Sequence, residues 1–313
     1  MKQLAVISGK GGTGKTILSA SFAVLAENHV TADCDVDAAN LDLLLKSRVL
    51  ETHPFSGSKT AVLNSEKCTS CGQCSEVCRF GAVSRSEDGR YAIDPVACEG
   101  CAVCSHVCPE KAVDMVPSKS GEWFVSHTTY GPMVHARLGI GEESSGKLVT
   151  EVRRHAKKIA EEENKSLVII DGPPGIGCPV IASLSGVDLA VVVTEPSSSG
   201  IQDMERVIQT AAHFQTAVAC VINKYDINLR QTAAAAAWCL RKGIPLLGKI
   251  PFDEKVIEAV IKGIPPAAAG NGGAGAKSIR NAWEKTQSLL SETASHMPPG
   301  RQGNPSSSIE DKT

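Results

Sequence analysis

The segment Gly9-Lys10-Gly11-Gly12-Thr13-Gly14-Lys15-Thr16 limits what this chain can fold into more than any other part of it. It fits the pattern Gly-x-x-x-x-Gly-Lys-Ser/Thr and stands between an apolar run over residues 4–8 and a helical pattern over 15–27. Glycines in that place let backbone N–H groups converge on phosphate oxygens at the positive end of the helix. Lys15 is placed to reach the β and γ phosphates, Thr16 to offer its hydroxyl to Mg²⁺, and Ile17 completes the expected nucleotide-binding run. Further apolar strand candidates at 167–171, 189–194, 217–223 and 246–251 alternate with helix candidates at 146–163, 201–214, 231–242 and 253–262. Continuous apolar strands separated by helices predict a parallel sheet covered on both faces, an α/β domain.

That rhythm breaks over residues 61–117, where eight of the twelve cysteines crowd together. Cys68, Cys71, Cys74 and Cys78 form one C-x2-C-x2-C-x3-C run, and Cys98, Cys101, Cys104 and Cys108 repeat it thirty residues later. Clustered cysteines without an export signal point to metal in a reducing compartment rather than to disulfides. The doubled run has the spacing of bacterial dicluster ferredoxins, in which the fourth cysteine of each run serves the other cluster. Cys68, Cys71, Cys74 and Cys108 then belong to one 4Fe-4S cluster, and Cys98, Cys101, Cys104 and Cys78 to a second. Zinc is the alternative, although it usually takes two separated cysteine pairs per ion. Pro109 follows Cys108 as the pattern asks, whereas Arg79 stands where a proline would follow Cys78. Eight acids against five bases over 61–117 leave this module mildly acidic, so a basic redox partner would be steered to it. The expected organisation is an α/β domain in two parts, 1–60 and 118–296, with a dicluster ferredoxin-like α+β module at 61–117 inserted between them. Residues 297–313 have the composition of a disordered tail.

The second lysine of the glycine loop carries further information. The run from Lys10 to Thr16 resembles the deviant Walker A motif of the MinD, ParA, Mrp and nitrogenase iron protein superfamily. That resemblance implies that Lys10 crosses a dimer interface to the partner's nucleotide, as an arginine finger does elsewhere. The segment from Asp33 to Leu43 resembles the MinD switch I, with Asp35 at the position that orients the attacking water. Asp171-Gly172-Pro173-Pro174-Gly175-Ile176-Gly177 resembles the Mrp switch II, with Asp171 holding Mg²⁺ through water. Catalysis is thus expected of Lys10, Lys15 and Asp35, Mg²⁺ binding of Thr16, Asp35 and Asp171, and nucleotide contacts of residues Gly9 to Ile17. Asn223-Lys224-Tyr225-Asp226 satisfies the Asn-Lys-x-Asp pattern by which many GTPases read guanine, while MinD-type ATPases use an Asn there against adenine. Both bases stay open on these residues, and the resemblance favours ATP.

A dicluster ferredoxin inserted in a deviant-Walker ATPase of parallel-sheet fold is similar to the MinD-superfamily ATPases that contain an inserted ferredoxin domain, among them the paired ATPases of the orange-protein complex. The resemblance implies ATP/ADP, Mg²⁺ and two 4Fe-4S clusters as cofactors. It also implies a homodimer, or a heterodimer with a paralogous ATPase, and a redox or metallocluster client protein of the orange-protein or NifX-like kind. ATP hydrolysis would be coupled to electron transfer or to metallocluster assembly or transfer; a MinD/ParA-type spatial-positioning ATPase with redox-sensing clusters is the other reading. With 32 basic and 34 acidic residues the formal charge is −2, which draws the chain neither to nucleic acid nor to an anionic membrane. No apolar stretch approaches the roughly 20 residues of a membrane span, and the start has no apolar export segment, so a cytoplasmic location is expected. Cys178 is read as an idle thiol, Cys34, Cys220 and Cys239 as small core residues, and 277–296 as a packing helix.

Overall fold

A computed structural model describes residues 1–139, 142, 145–270 and 273–292. In chain order the first elements are β1 (Lys2–Ser8), α1 (Lys15–Leu25), β2 (His29–Asp33), α2 (Leu41–Leu45) and β3 (Arg48–Phe55). There follow β4 (Ser58–Leu63), α3 (Gln73–Val77), β5 (Val83–Arg85), β6 (Tyr91–Ile93), α4 (Val103–Val107) and β7 (Val113–Ser118). The chain continues with β8 (Gly121–Thr128), β9 (Gly131–Leu138), α5 (Ser145–Glu162), β10 (Leu167–Pro174), α6 (Cys178–Leu184), β11 (Leu189–Thr194) and α7 (Ser198–His213). It closes with β12 (Ala217–Asn223), α8 (Leu229–Arg241), β13 (Leu246–Ile250), α9 (Glu254–Ile261) and α10 (Gly273–Glu292).

Nine strands form one sheet in the order β13-β12-β11-β1-β10-β2-β9-β8-β3. The strands from β13 to β9 run parallel, and β8 and β3 extend that edge antiparallel. Strand side chains alternate between faces, so a strand buried on both sides must be apolar throughout. On β1, Leu4 and Val6 join the core that includes Leu18, Phe22, Ile279 and Trp283, while Ala5 and Ile7 join the opposite core with Leu148, Val152, Met204 and Val207. Phe22 of α1 and Trp283 of α10 meet with ring centroids 4.9 Å apart, which locks these two helices onto one face. Three helices start at side-chain caps that satisfy otherwise orphaned N–H groups: Ser197 for α7, Asn228 for α8 and Asp253 for α9.

The five expected strands and the expected helices appear within a few residues of their forecast limits. Strands β2, β3, β8 and β9 are additions: β2 alternates small and polar residues, and β3 is an exposed edge. Residues 58–118 pair among themselves, β4 with β7 and β5 with β6, outside the large sheet. This self-paired segment begins three residues earlier than the expected 61, and β3 intervenes between it and the loop after β2. The expected tail at 297–313 lies outside the described residues, as does the end of the expected 277–296 helix. Among the described residues no helix is long and apolar enough to cross a membrane.

Candidate functional site

The glycine loop leaves β1 at Ser8 and becomes α1 at Lys15, with Gly14 left-handed at φ 91°. A side chain at position 14 would run into the Asn223 amide, so the loop needs glycine there for both conformation and room. Lys15 is only 6% exposed, and its Nζ lies 3.1 Å from Asp35 Oδ2 and 3.9 Å from Asp171 Oδ1. Burial alone would push the Lys15 ammonium down, but Asp171 and Asp35 overcome it and hold it above the ordinary lysine value. The Ser19 hydroxyl donates to Asp171 Oδ1 at 2.7 Å, while among the described residues no hydrogen bond within ordinary distance reaches the buried Asp171 Oδ2. Burial pushes the Asp171 carboxyl up against the pull of Lys15 and of the Ser19 and Thr16 hydroxyls. A divalent cation suits this arrangement: an orphaned buried carboxylate oxygen beside the Thr16 hydroxyl, with more acid than base around it.

Asp33 was not among the expected site residues, although it begins the segment that contains Asp35. Its Oδ1 accepts the Asp35 N–H at 3.1 Å and its Oδ2 the Leu41 N–H at 3.2 Å, so it fixes the loop that presents Asp35. Burial, and then Asp171, push its carboxyl well up. Glu195 also gave no sequence signal. It holds Lys10 Nζ at 2.6 Å and Lys224 Nζ at 3.9 Å, and the Ser197 and Ser199 hydroxyls accept from Lys10 at 3.2 and 3.3 Å. Within one chain, then, Lys10 is folded back on the start of α7.

Beside the loop lies a cavity of about 250 Å³, lined by Ile17, Asn223, Lys224, Ile250, Phe252 and Val256 among others. Asn223 Nδ2 donates to the Thr13 carbonyl at 2.7 Å and Lys224 Nζ to the Gly12 carbonyl at 3.2 Å. Asp226 does not line this cavity; its Oδ1 accepts the Phe252 N–H at 2.7 Å.

The eight clustered thiols sort into two hollows. One is lined by Cys68, Cys71, Cys74 and Cys108, the other by Cys78, Cys98, Cys101 and Cys104. The backbone repeats with the sequence: positive φ recurs thirty residues apart at Ser70 and Gly100, at Gly72 and Ala102, and at Gly81 and Lys111. The Ser75 hydroxyl donates to the Val83 carbonyl just as Ser105 donates to that of Val113. Backbone N–H groups of Ser70, Ala61 and Ala112 point at the sulfurs of Cys68, Cys98 and Cys108 at 3.3–3.4 Å. Each hollow offers four thiols, a donor set that fits an iron-sulfur cluster. Among the described residues no group of three His, Cys, Asp or Glu side chains is arranged to hold a single metal ion. Cys178 is exposed at the start of α6, while Cys34, Cys220 and Cys239 are buried.

A glycine phosphate loop at the end of a parallel strand, with Asp35 of the loop after β2 and Asp171 of β10 converging on its lysine, defines the P-loop nucleotide-binding class. The family profile of the CobQ/CobB/MinD/ParA nucleotide binding domain matches residues 4–266, and the chain belongs to this family. It is similar to two uncharacterised proteins of Methanocaldococcus jannaschii. One is 38% identical over 229 residues, 72% of this chain and 79% of that one; the other is 30% identical over 276 residues, 84% and 90%. An iron-sulfur cluster carrier protein of the same organism is 33% identical over 113 residues, 31% of this chain and 38% of that one. In fold the chain is similar to the septum site-determining protein MinD of Pyrococcus horikoshii complexed with Mg-ADP, with a TM-score of 0.55 at 18% identity over 93% of this chain and 98% of that one.

Proposed function

We propose that this chain is a dimeric ATPase carrying two 4Fe-4S clusters, whose nucleotide state gates electron transfer, or metallocluster assembly or transfer, to a client protein. One observation carries the reading: eight thiols sort into two four-thiol hollows on a chain with a complete phosphate site. Cys68, Cys71, Cys74 and Cys108 would hold one cluster, and Cys78, Cys98, Cys101 and Cys104 the other; bound clusters supply one-electron chemistry. The similarity to an iron-sulfur cluster carrier protein supports this.

The chain's own side chains do the rest. Lys15 would bind the β and γ phosphates, Thr16 and Asp171 would hold hydrated Mg²⁺, and Asp35 would orient the attacking water. Lys10, released from Glu195, reaches the phosphates of the partner protomer, a second copy or a paralogue. Ile17 and Asn223 flank the base. Adenine is favoured over guanine because the Asp226 carboxylate, one oxygen of which accepts the Phe252 N–H, lies off the cavity wall. The likeness to MinD supports a spatial-positioning ATPase as the second reading, with the same site and with clusters that only sense redox state. Analysis of anaerobically purified protein should give about eight iron and eight sulfide per chain; zinc-loaded, iron-free protein overturns the proposal.

A further inference from the structure

Both ends of the self-paired segment meet the α/β body at one fully buried residue, Ser120. Its N–H donates to the Phe55 carbonyl and its carbonyl accepts the Gly139 N–H, both at 2.8 Å. Its hydroxyl accepts the Gly57 N–H at 3.2 Å and lies 2.8 Å from Ser58 Oγ. On the body side, Leu138 beside Gly139 donates to the Val36 carbonyl at 3.1 Å, within the loop that carries Asp35. Lys147 of α5 donates to the Gly57 carbonyl at 2.7 Å, and its neighbour Gly146 packs on Cys178, just past the turn that follows β10. On the other side β4 runs from Ser58 to Ala61, whose N–H points at Cys98 Sγ at 3.4 Å. The hollow with Cys98 borders Ala61, whereas the hollow with Cys68 borders Leu63 at the far end of β4.

We infer that Ser120 and Lys147 are positioning residues through which the Asp35 loop and the segment after Asp171, respectively, set the geometry of the Cys78, Cys98, Cys101 and Cys104 site, leaving the Cys68, Cys71, Cys74 and Cys108 site indifferent to nucleotide. The inference rests on the ATPase reading above. Loops of this kind rearrange with the γ-phosphate, and a buried hydrogen bond is costly to leave unmade, so strand ends joined through Ser120 follow the loops.

Hydrogen–deuterium exchange on the full-length protein, purified anaerobically, tests this in its nucleotide-free, ADP and nonhydrolysable-ATP forms. Exchange at residues 57–61 should differ between states by about fivefold or more, the low end of ordinary coupling. Exchange at residues 64–76 should not change. Ser120→Ala should reduce the difference at 57–61 and keep the one at 34–43, and the double variant with Lys147→Gln should abolish it. Lys147→Gln, a surface change that tolerates failure of the first variant to fold, should reduce it. A wild-type chain that binds nucleotide with no change at 57–61 overturns the inference, as does a change that survives both substitutions. Iron is assayed on the same samples: iron-free protein with a responsive 57–61 segment overturns the cluster reading and keeps the role of Ser120, and iron-loaded protein with a silent segment does the reverse.

Discussion

Lys10 and Lys15 share one loop but face different neighbours, and substitution should separate them. Lys15→Ala leaves Asp35 and Asp171 without their buried cation and removes the phosphate ligand, so nucleotide binding should vanish in calorimetry. Lys10→Ala should bind nucleotide much as the parent does, lose about a thousandfold in turnover, and stop nucleotide-dependent dimerisation on size exclusion. Wild-type hydrolysis by Lys10→Ala would exclude an intersubunit role. Asp226 should behave as a brace: Asp226→Asn keeps an acceptor for the Phe252 N–H and should leave ATP affinity intact. Asp226→Ala should weaken ATP and GTP alike, by about tenfold at most; a loss confined to GTP would mean that the carboxylate reads guanine. The structure brings Lys15, Asp35 and Asp171 together: Lys15 was legible from the phosphate-loop pattern, and Asp35 and Asp171 from the resemblance to the switch segments. The sequence was silent on Asp33, Glu195 and Ser120, whose importance lies in contacts with residues distant in sequence.

Helix α10 shows what an element contributes beyond its own pattern. Ile279, Ala282, Trp283 and Leu290 place it in the core on the β1–α1 side, against Phe22. Trp283→Ala should cost about 3–5 kcal/mol in urea unfolding, through lost transfer and an unfilled cavity. A cost below about 1 kcal/mol would mean that the helix is not part of the cooperative core. The central strands β1, β10, β11 and β12 were legible because burial on both faces demands unbroken apolar runs. The β3–β8–β9 edge was not: β3 reads Arg-Val-Leu-Glu-Thr-His-Pro-Phe and is exposed along most of its length, so no alternation marks it. Three thiols of each hollow were legible from short local spacing, whereas the fourth, Cys108 or Cys78, comes from the other half of the repeat and was expected only from the dicluster ferredoxin pattern.

Acid stability belongs to the whole molecule, and His29 dominates one part of it. The residue opens β2 and is 2% exposed, and burial pushes its pKa down to about 4. In the unfolded chain it titrates near 6.5, so between about pH 6.5 and 4 the unfolded state binds more protons and folding loses stability as pH falls. The loss attributable to this group is about 3 kcal/mol. His29→Leu should flatten the acid limb of a stability–pH curve over that window; an unchanged limb would assign the acid sensitivity to other groups. At the same scale, the exchange of Cys78 and Cys108 between the hollows has a topological consequence. Each four-thiol ring takes three members from one half of the repeat and one from the other, so neither half can be completed by itself. In a chain cut at the 86–90 hairpin tip the filled rings would still tie the two halves of the repeat to each other, while the nine-stranded sheet, which interleaves strands from both fragments, holds the body together whether or not the rings are filled. The repeat behaves as two interlocked links rather than two beads on a string.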